Sequence, residues 1–112
     1  VIDEIMTIGA KYPFQVPVKI NAHIGDGNLH LVLCKCDMSD EEWEKNVHDF
    51  HEEVYAYVYG QGGRLAGEHG IGAKKLEYME EFTPVGELDL MRKIKLAWDP
   101  NMILNPGKVF NA

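Results

Sequence analysis

NAHIGDGNLHL, residues 21–31, places two histidines around an Asp-Gly pair. Asp-Gly between apolar runs predicts a two-residue type I′ hairpin loop, in which both central residues take positive φ. With Asp26 and Gly27 in that loop, Gly25 pairs with Asn28, Ile24 with Leu29 and His23 with His30. Directly opposed residues of an antiparallel pair hold their Cβ atoms about 4.5–5.5 Å apart on one face. Two imidazoles held that way can reach one ion at about 2.0–2.1 Å per bond.

Alternation supports a hairpin over residues 17–36. Val18, Ile20, Ala22 and Ile24 share one face of the first strand, and Leu29, Leu31 and Leu33 continue that face on the second. Lys19, Asn21, His23, Asn28 and His30 share the other. One face is therefore core and the other polar. A one-residue slip would bury the histidines and expose the leucines.

The remaining pattern is helical. Ile2, Ile5, Met6 and Ile8 recur at near-helical spacing in residues 1–11, and Tyr12-Pro13 ends that run. Ser39 with Glu42 makes a capping box ahead of a helix to Tyr59, whose core stripe is Trp43, Val47, Phe50, Val54 and Tyr57. A short helix is expected over 74–81. Thr83-Pro84 reads as N-cap and first residue of another, with Leu88, Met91, Ile94 and Trp98 facing inward until Asp99-Pro100 ends it. The tail, 101–112, reads as irregular. No repeat, low-complexity tract or linker suggests a second domain.

Composition narrows the function classes. A formal net charge of −7 over 112 residues repels nucleic acid and anionic lipid, so neither is an expected partner. No apolar run approaches the ~18 residues of a membrane span, and no signal peptide is visible. The chain begins on Val1 rather than methionine, so a piece of a longer protein is expected. The two cysteines form a C-x-C at Cys34 and Cys36, not a C-x-x-C redox or zinc motif. Bridging them demands unusual local geometry, and Cys34 lies roughly 13 Å along the strand from His30 at about 3.3 Å per residue. Both read as reduced thiols in a cytoplasmic protein, not as ligands.

Two histidines are half a site. The completing ligand is expected from Glu68, inside GGRLAGEHGIG. Glycines at 62, 63, 67, 70 and 72 permit positive φ and close backbone approach, as a loop built around a bound group requires. Two His and one carboxylate leave coordination positions open, which suits catalysis better than structural support. Asp26 is the rival third ligand, but a turn Asp usually bonds its own backbone. In an extended segment neighbours point opposite ways, so His69 should face away from the Glu68 side, across a bound substrate, as a general base. His48 and His51 fall off the helix stripe and read as solvent-facing. Lys74-Lys75 reads as an ordinary solvated helix start.

Three stretches, HIGDGNLH, GGRLAGEHGIGAKK and DPNMILNPGKVF, stand in the order and rough spacing of the C-terminal domain of FAD-linked oxidases. The chain resembles that family over nearly its whole length. The family includes glycolate oxidase catalytic subunits, D-lactate dehydrogenases and D-2-hydroxyglutarate dehydrogenases of the vanillyl-alcohol oxidase type. The resemblance implies an α+β fold, the back portion of a ferredoxin-like cap over residues 1–112, with an antiparallel sheet and helices on one face. It implies an FAD-binding domain absent from this chain, and so an isolated chain without activity. It implies a divalent ion, often zinc, on His23, His30 and Glu68, with His69 as base and Asn105 near the flavin. The implied reaction oxidises a small D-2-hydroxy acid to a 2-oxo acid, its hydride passing to the flavin. Members acting on D-2-hydroxyglutarate carry Asn two residues past the second histidine, where this chain has Val32, which weighs against that substrate. The competing readings are a non-catalytic metal-binding or interaction module and a metal-assisted hydrolase, in which NPGKVF has no purpose. A cut cap would leave a strand edge and apolar surface bare, so the piece is also expected to be able to form a homodimer.

Overall fold

Serine 39 starts the longest element. In the computed structural model, which describes residues 1–15 and 17–111, its hydroxyl accepts from the Glu42 N–H at 3.2 Å, as the capping box predicts. The elements run α1 (Ile2–Gly9), β1 (Lys19–His23), β2 (Asn28–Val32), α2 (Asp40–Gly60), α3 (Leu76–Phe82) and α4 (Val85–Trp98). The class is α+β, with one two-stranded antiparallel sheet. Residues 101–111 form turns and bends, as expected of the tail; Ala112 lies outside the described residues.

The core forms where α1 crosses α2. Ile5, Phe50 and Val54 are the most completely buried large side chains. Ile8, Val18, Tyr55 and Met79 join them, and Ile20, Leu29, Leu31 and Leu33 press the apolar face of the hairpin onto the same cluster. Burial of such side chains is worth about 1.5–3 kcal/mol each. The helices thus cover one face of the sheet and leave the face with both histidines free.

The hairpin register departs from expectation by two residues. His23 opposes Asn28, and Asn21 opposes His30. The turn explains it. The N–H groups of Asp26 and Gly27 both donate to the His23 carbonyl at 3.0 Å. Only Gly27, at φ +75°, enters the left-handed region, and a type I′ loop would need Asp26 there too. Four residues, Ile24–Gly27, therefore make the loop. A shift of two preserves every face, so His23 and His30 remain on one side as diagonal neighbours. Ile24 leaves the core face for the turn and is 85% exposed.

Other differences are local. Thr83 does not cap α4; its hydroxyl meets the Tyr59 hydroxyl at 2.9 Å, and α4 starts after Pro84. Leu88 is buried, but Ile94 and Trp98 are exposed. Among the described residues no other helix or strand packs extensively on α4, so its second half keeps these side chains largely in solvent. His51 is not solvent-facing. Its ring stacks on Tyr55 at 5.3 Å between centroids and meets Tyr78 edge-on. His48 lies at the rim, where Nδ1 is 3.2 Å from the Tyr78 hydroxyl.

Burial first, then the charges of Lys75 and His48, pushes the His51 imidazole down from 6.5 to about 4. The unfolded chain then binds more protons than the folded one between those values. The contribution of His51 to stability is full above pH 6.5 and is lost as pH drops toward 4. Urea unfolding at stepped pH should register a loss on the order of 2–3 kcal/mol across that window, and His51→Phe should flatten this part of the profile. An unchanged slope in that variant would assign the loss to other groups.

Candidate functional site

The polar face of the hairpin is closed over by the glycine-rich loop after α2. Gly67 makes this possible, because a Cβ there would sit against Asn28 Cβ with no room for both. Its backbone lies on the strand and sets the next side chain above the histidines. Glu68 Oε1 is 3.1 Å from His23 Nε2 and 2.7 Å from His30 Nε2. The His23 and His30 rings are 5.4 Å apart. One ligand-type atom from each of the three residues lies within 4.8 Å of the others.

The directions of these contacts matter as much as their lengths. His30 Nε2 is buried and has no hydrogen-bond partner despite its short approach to the carboxylate. Its ring nitrogen is not aligned along an N–H···O line. Asn28 Oδ1, beneath Gly67, is likewise buried without a partner. Buried polar atoms are rarely left so. Donor atoms facing a common centre, rather than one another, have this arrangement. Ligands about 2.0–2.2 Å from a tetrahedral ion sit roughly 3.3–3.6 Å from each other; the Glu68–His23 contact at 3.1 Å is near that range and the Glu68–His30 contact at 2.7 Å is shorter. A His/His/carboxylate donor set therefore fits a divalent ion such as zinc.

Asp26, the rival ligand, stays at the turn tip and is outside this group. His69 is closer than expected. Residues 67–69 form bends rather than an extended segment, so alternation does not apply. His69 Nε2 is 3.7 Å from Glu68 Oε1, its ring is 5.1 Å from that of His30, and its side chain is 78% exposed. The structure brings His23, His30, Glu68 and His69 together. It does not bring Asn105 there. Asn105 lines a separate apolar concavity with Met91 and Phe110, although the tail is tied to the loop by Val109 N–H donating to the Gly72 carbonyl at 2.7 Å.

The cluster opens on a cleft of about 1230 Å³, whose wall includes His51, Tyr55 and Lys75. Lys75 is not a solvated helix start: its ammonium donates to the Leu65 carbonyl at 2.8 Å and lies 5.8 Å from the Tyr55 ring centre. Burial pushes its pKa down, and burial also pushes the Tyr55 phenol up to about 12. The i, i+4 spacing of His51 and Tyr55 is compatible with a stacked pair but does not by itself place His51 on this wall. Lys75 carried no sequence signal, because its partner is a backbone carbonyl ten residues away.

Residues 1–109 match the family model of FAD linked oxidases, C-terminal domain. Among similar proteins, a D-lactate dehydrogenase of Anaerostipes hadrus is 46% identical over 82% of this chain and 19% of its own length. A D-2-hydroxyglutarate dehydrogenase of Stutzerimonas stutzeri is 37% identical over 94% and 23% respectively. The glycolate oxidase subunit GlcD of Bacillus subtilis is 37% identical over 95% and 22%. The chain spans about a fifth of the length of these relatives. No solved structure matches it significantly.

Gly67→Ala tests the closure. The added methyl must displace the loop from Asn28, so the variant should lose about 1–3 kcal/mol of stability in urea titration. Its histidine ring resonances should also lose their response to Glu68→Gln. Wild-type stability and an intact response would show that the loop does not depend on this approach.

Proposed function

The chain belongs to the C-terminal domain family of FAD-linked oxidases, and on that premise we propose that residues 1–112 are the back portion of the substrate cap of an FAD-dependent 2-hydroxy-acid dehydrogenase. The substrate class is a small D-2-hydroxy acid such as glycolate or D-lactate. The observation that carries this reading is the convergence of His23, His30 and Glu68 beside the exposed imidazole of His69.

A divalent ion, zinc by preference, would be held by His23, His30 and Glu68 and would supply Lewis acidity toward the substrate carboxylate and hydroxyl. FAD would be bound mainly by a domain outside this chain and would accept the hydride. The chain's own residues do the rest. The two-stranded sheet holds the His23 and His30 rings on one face, so little ordering is left to binding. Glu68 contributes a negative charge to the site and is positioned by the Gly67 approach. His69 takes the hydroxyl proton, its exposed ring standing at the cleft mouth. Asn105, in the tail tied to this loop, would face the flavin from outside the present cleft. Val32 supports glycolate or D-lactate over D-2-hydroxyglutarate. A cytoplasmic location belongs to this proposal; no described helix is long and apolar enough to cross a membrane.

Exposed Ile94, Trp98, Ile103 and Leu104 support a missing neighbour. The flavin-binding part would cover them in the whole protein, and a second copy could do so for the isolated chain, which would be inactive.

The test separates ligand from base. In the flavin-containing full-length enzyme, Glu68→Ala should lose bound metal and turnover together. His69→Ala should retain the metal while slowing flavin reduction by substrate. In zinc calorimetry on the 112-residue chain, Glu68→Ala should weaken binding by at least about tenfold, with His69→Ala nearer wild type. Equal weakening by both would overturn the assignment of ligand and base.

A further inference from the structure

Cys34 and Cys36 lie in the connection between β2 and α2, away from the chemistry proposed above. In a regular strand, residues two apart sit roughly 6.6 Å from each other at about 3.3 Å per residue. Here the two Sγ atoms are 2.6 Å apart. The backbone achieves this at Cys36, whose φ of +48° is a left-handed conformation that non-glycine residues seldom adopt. Both thiols are exposed.

The connection around them is anchored on each side. Met38 is buried, and its N–H donates to the Lys35 carbonyl at 3.1 Å. The Asp37 N–H donates to Gln15 Oε1 at 3.3 Å. The Lys35 ammonium pairs with the Asp40 carboxylate, and Ser39 caps α2. The dithiol is therefore held in its approach rather than sampled by a loose loop.

The surroundings select the chemistry. The two sulfurs face each other, and among the described residues no third His, Cys, Asp or Glu joins them in a group that could hold a metal ion. We propose that Cys34 and Cys36 are a reversible redox site, a dithiol that closes to an intramolecular disulfide by exchange with a low-molecular-weight disulfide.

The exchange runs in two displacements. The Cys34 thiolate attacks one sulfur of the small disulfide and expels a thiolate, leaving a mixed disulfide on Cys34. Cys36 then loses its proton to solvent, attacks the Cys34 sulfur and expels the second small thiolate. Two protein thiols are oxidised by two electrons, one small disulfide is reduced to two thiols, and the two protons end on those products. Hydrogen bonding with Cys34, with Asp37 adding to it, pushes the Cys36 thiol up. Cys36 is therefore the thiol that attacks second. A ring closed across one intervening residue, and open to solvent, belongs with the labile, readily reduced disulfides.

The test uses the purified chain with a chelator present, equilibrated with mixtures of glutathione and glutathione disulfide, quenched by acid and weighed by mass spectrometry. The expected product is lighter by two hydrogens, with glutathione adducts below about a tenth of it, because the held geometry raises the effective concentration of the second thiol. In concentrated urea the adduct share should rise about tenfold as that geometry is lost. Cys36→Ser should accumulate a stable adduct on Cys34, and Cys34→Ser should react more slowly. Glutathione on both cysteines of the native chain, or the same product ratio folded and unfolded, would falsify the proposal.

Discussion

The approach of the Gly67 backbone to Asn28 is the contact on which the site depends. A strand side chain and a loop backbone come together there with no space for a methyl group. This sets Glu68 over two histidines that belong to a different element. Without it, the hairpin carries a polar face with two imidazoles, and the loop carries a carboxylate, with nothing to join them. The buried, unpartnered atoms on His30 and Asn28 lie at this junction. Desolvating a polar atom without a partner costs about 1–3 kcal/mol.

What holds the hairpin is on its other side. Ile20, Leu29, Leu31 and Leu33 rest on the cluster around Phe50 and Val54, so apolar burial on one face presents the histidines on the other. The long helix serves both tasks. Phe50 and Val54 fill the core, while His51 and Tyr55, one position on, wall the cleft. Packing among aromatic rings and the charge of Lys75 both push the His51 imidazole down, favouring its neutral form, and Lys75 places a cation on that wall beside Arg64 and Lys74.

The C-terminal third is organised differently. Asp99 is buried, pairs with Lys95 at 2.8 Å, and accepts from the Ile103 and Leu104 N–H groups at 3.1 and 2.9 Å. That pairing, first among the causes, lowers its pKa. Arg92 does the same for the end of the chain, bonding Glu80 and the Asn111 carbonyl. These polar locks shape the tail where apolar packing is thin. They leave Trp98, Ile103 and Leu104 exposed.

By itself the sequence determined the order of the elements and the faces of the hairpin, though not the inward face of α4, whose Ile94 and Trp98 are exposed. Ser39 and Glu42 announced α2, Ile5 and Ile8 the first helix, and period-two alternation placed His23 and His30 opposite the leucines. These signals are local, carried by residues within a turn or a strand of one another. Glu68 was legible as a partner because five glycines in eleven residues imply close backbone approach. Register was not legible, because Asp-Gly suits both two- and four-residue loops and the choice rests on whether Asp26 takes positive φ. The bend that keeps His69 beside Glu68, the burial of His51 and the anchoring of Lys75 on Leu65 were likewise hidden. So was the meeting of Cys34 with Cys36, which needs one residue in a left-handed conformation held by anchors on both sides. Each depends on residues distant in sequence or on a backbone angle the side-chain pattern does not encode, and only tertiary packing decides those.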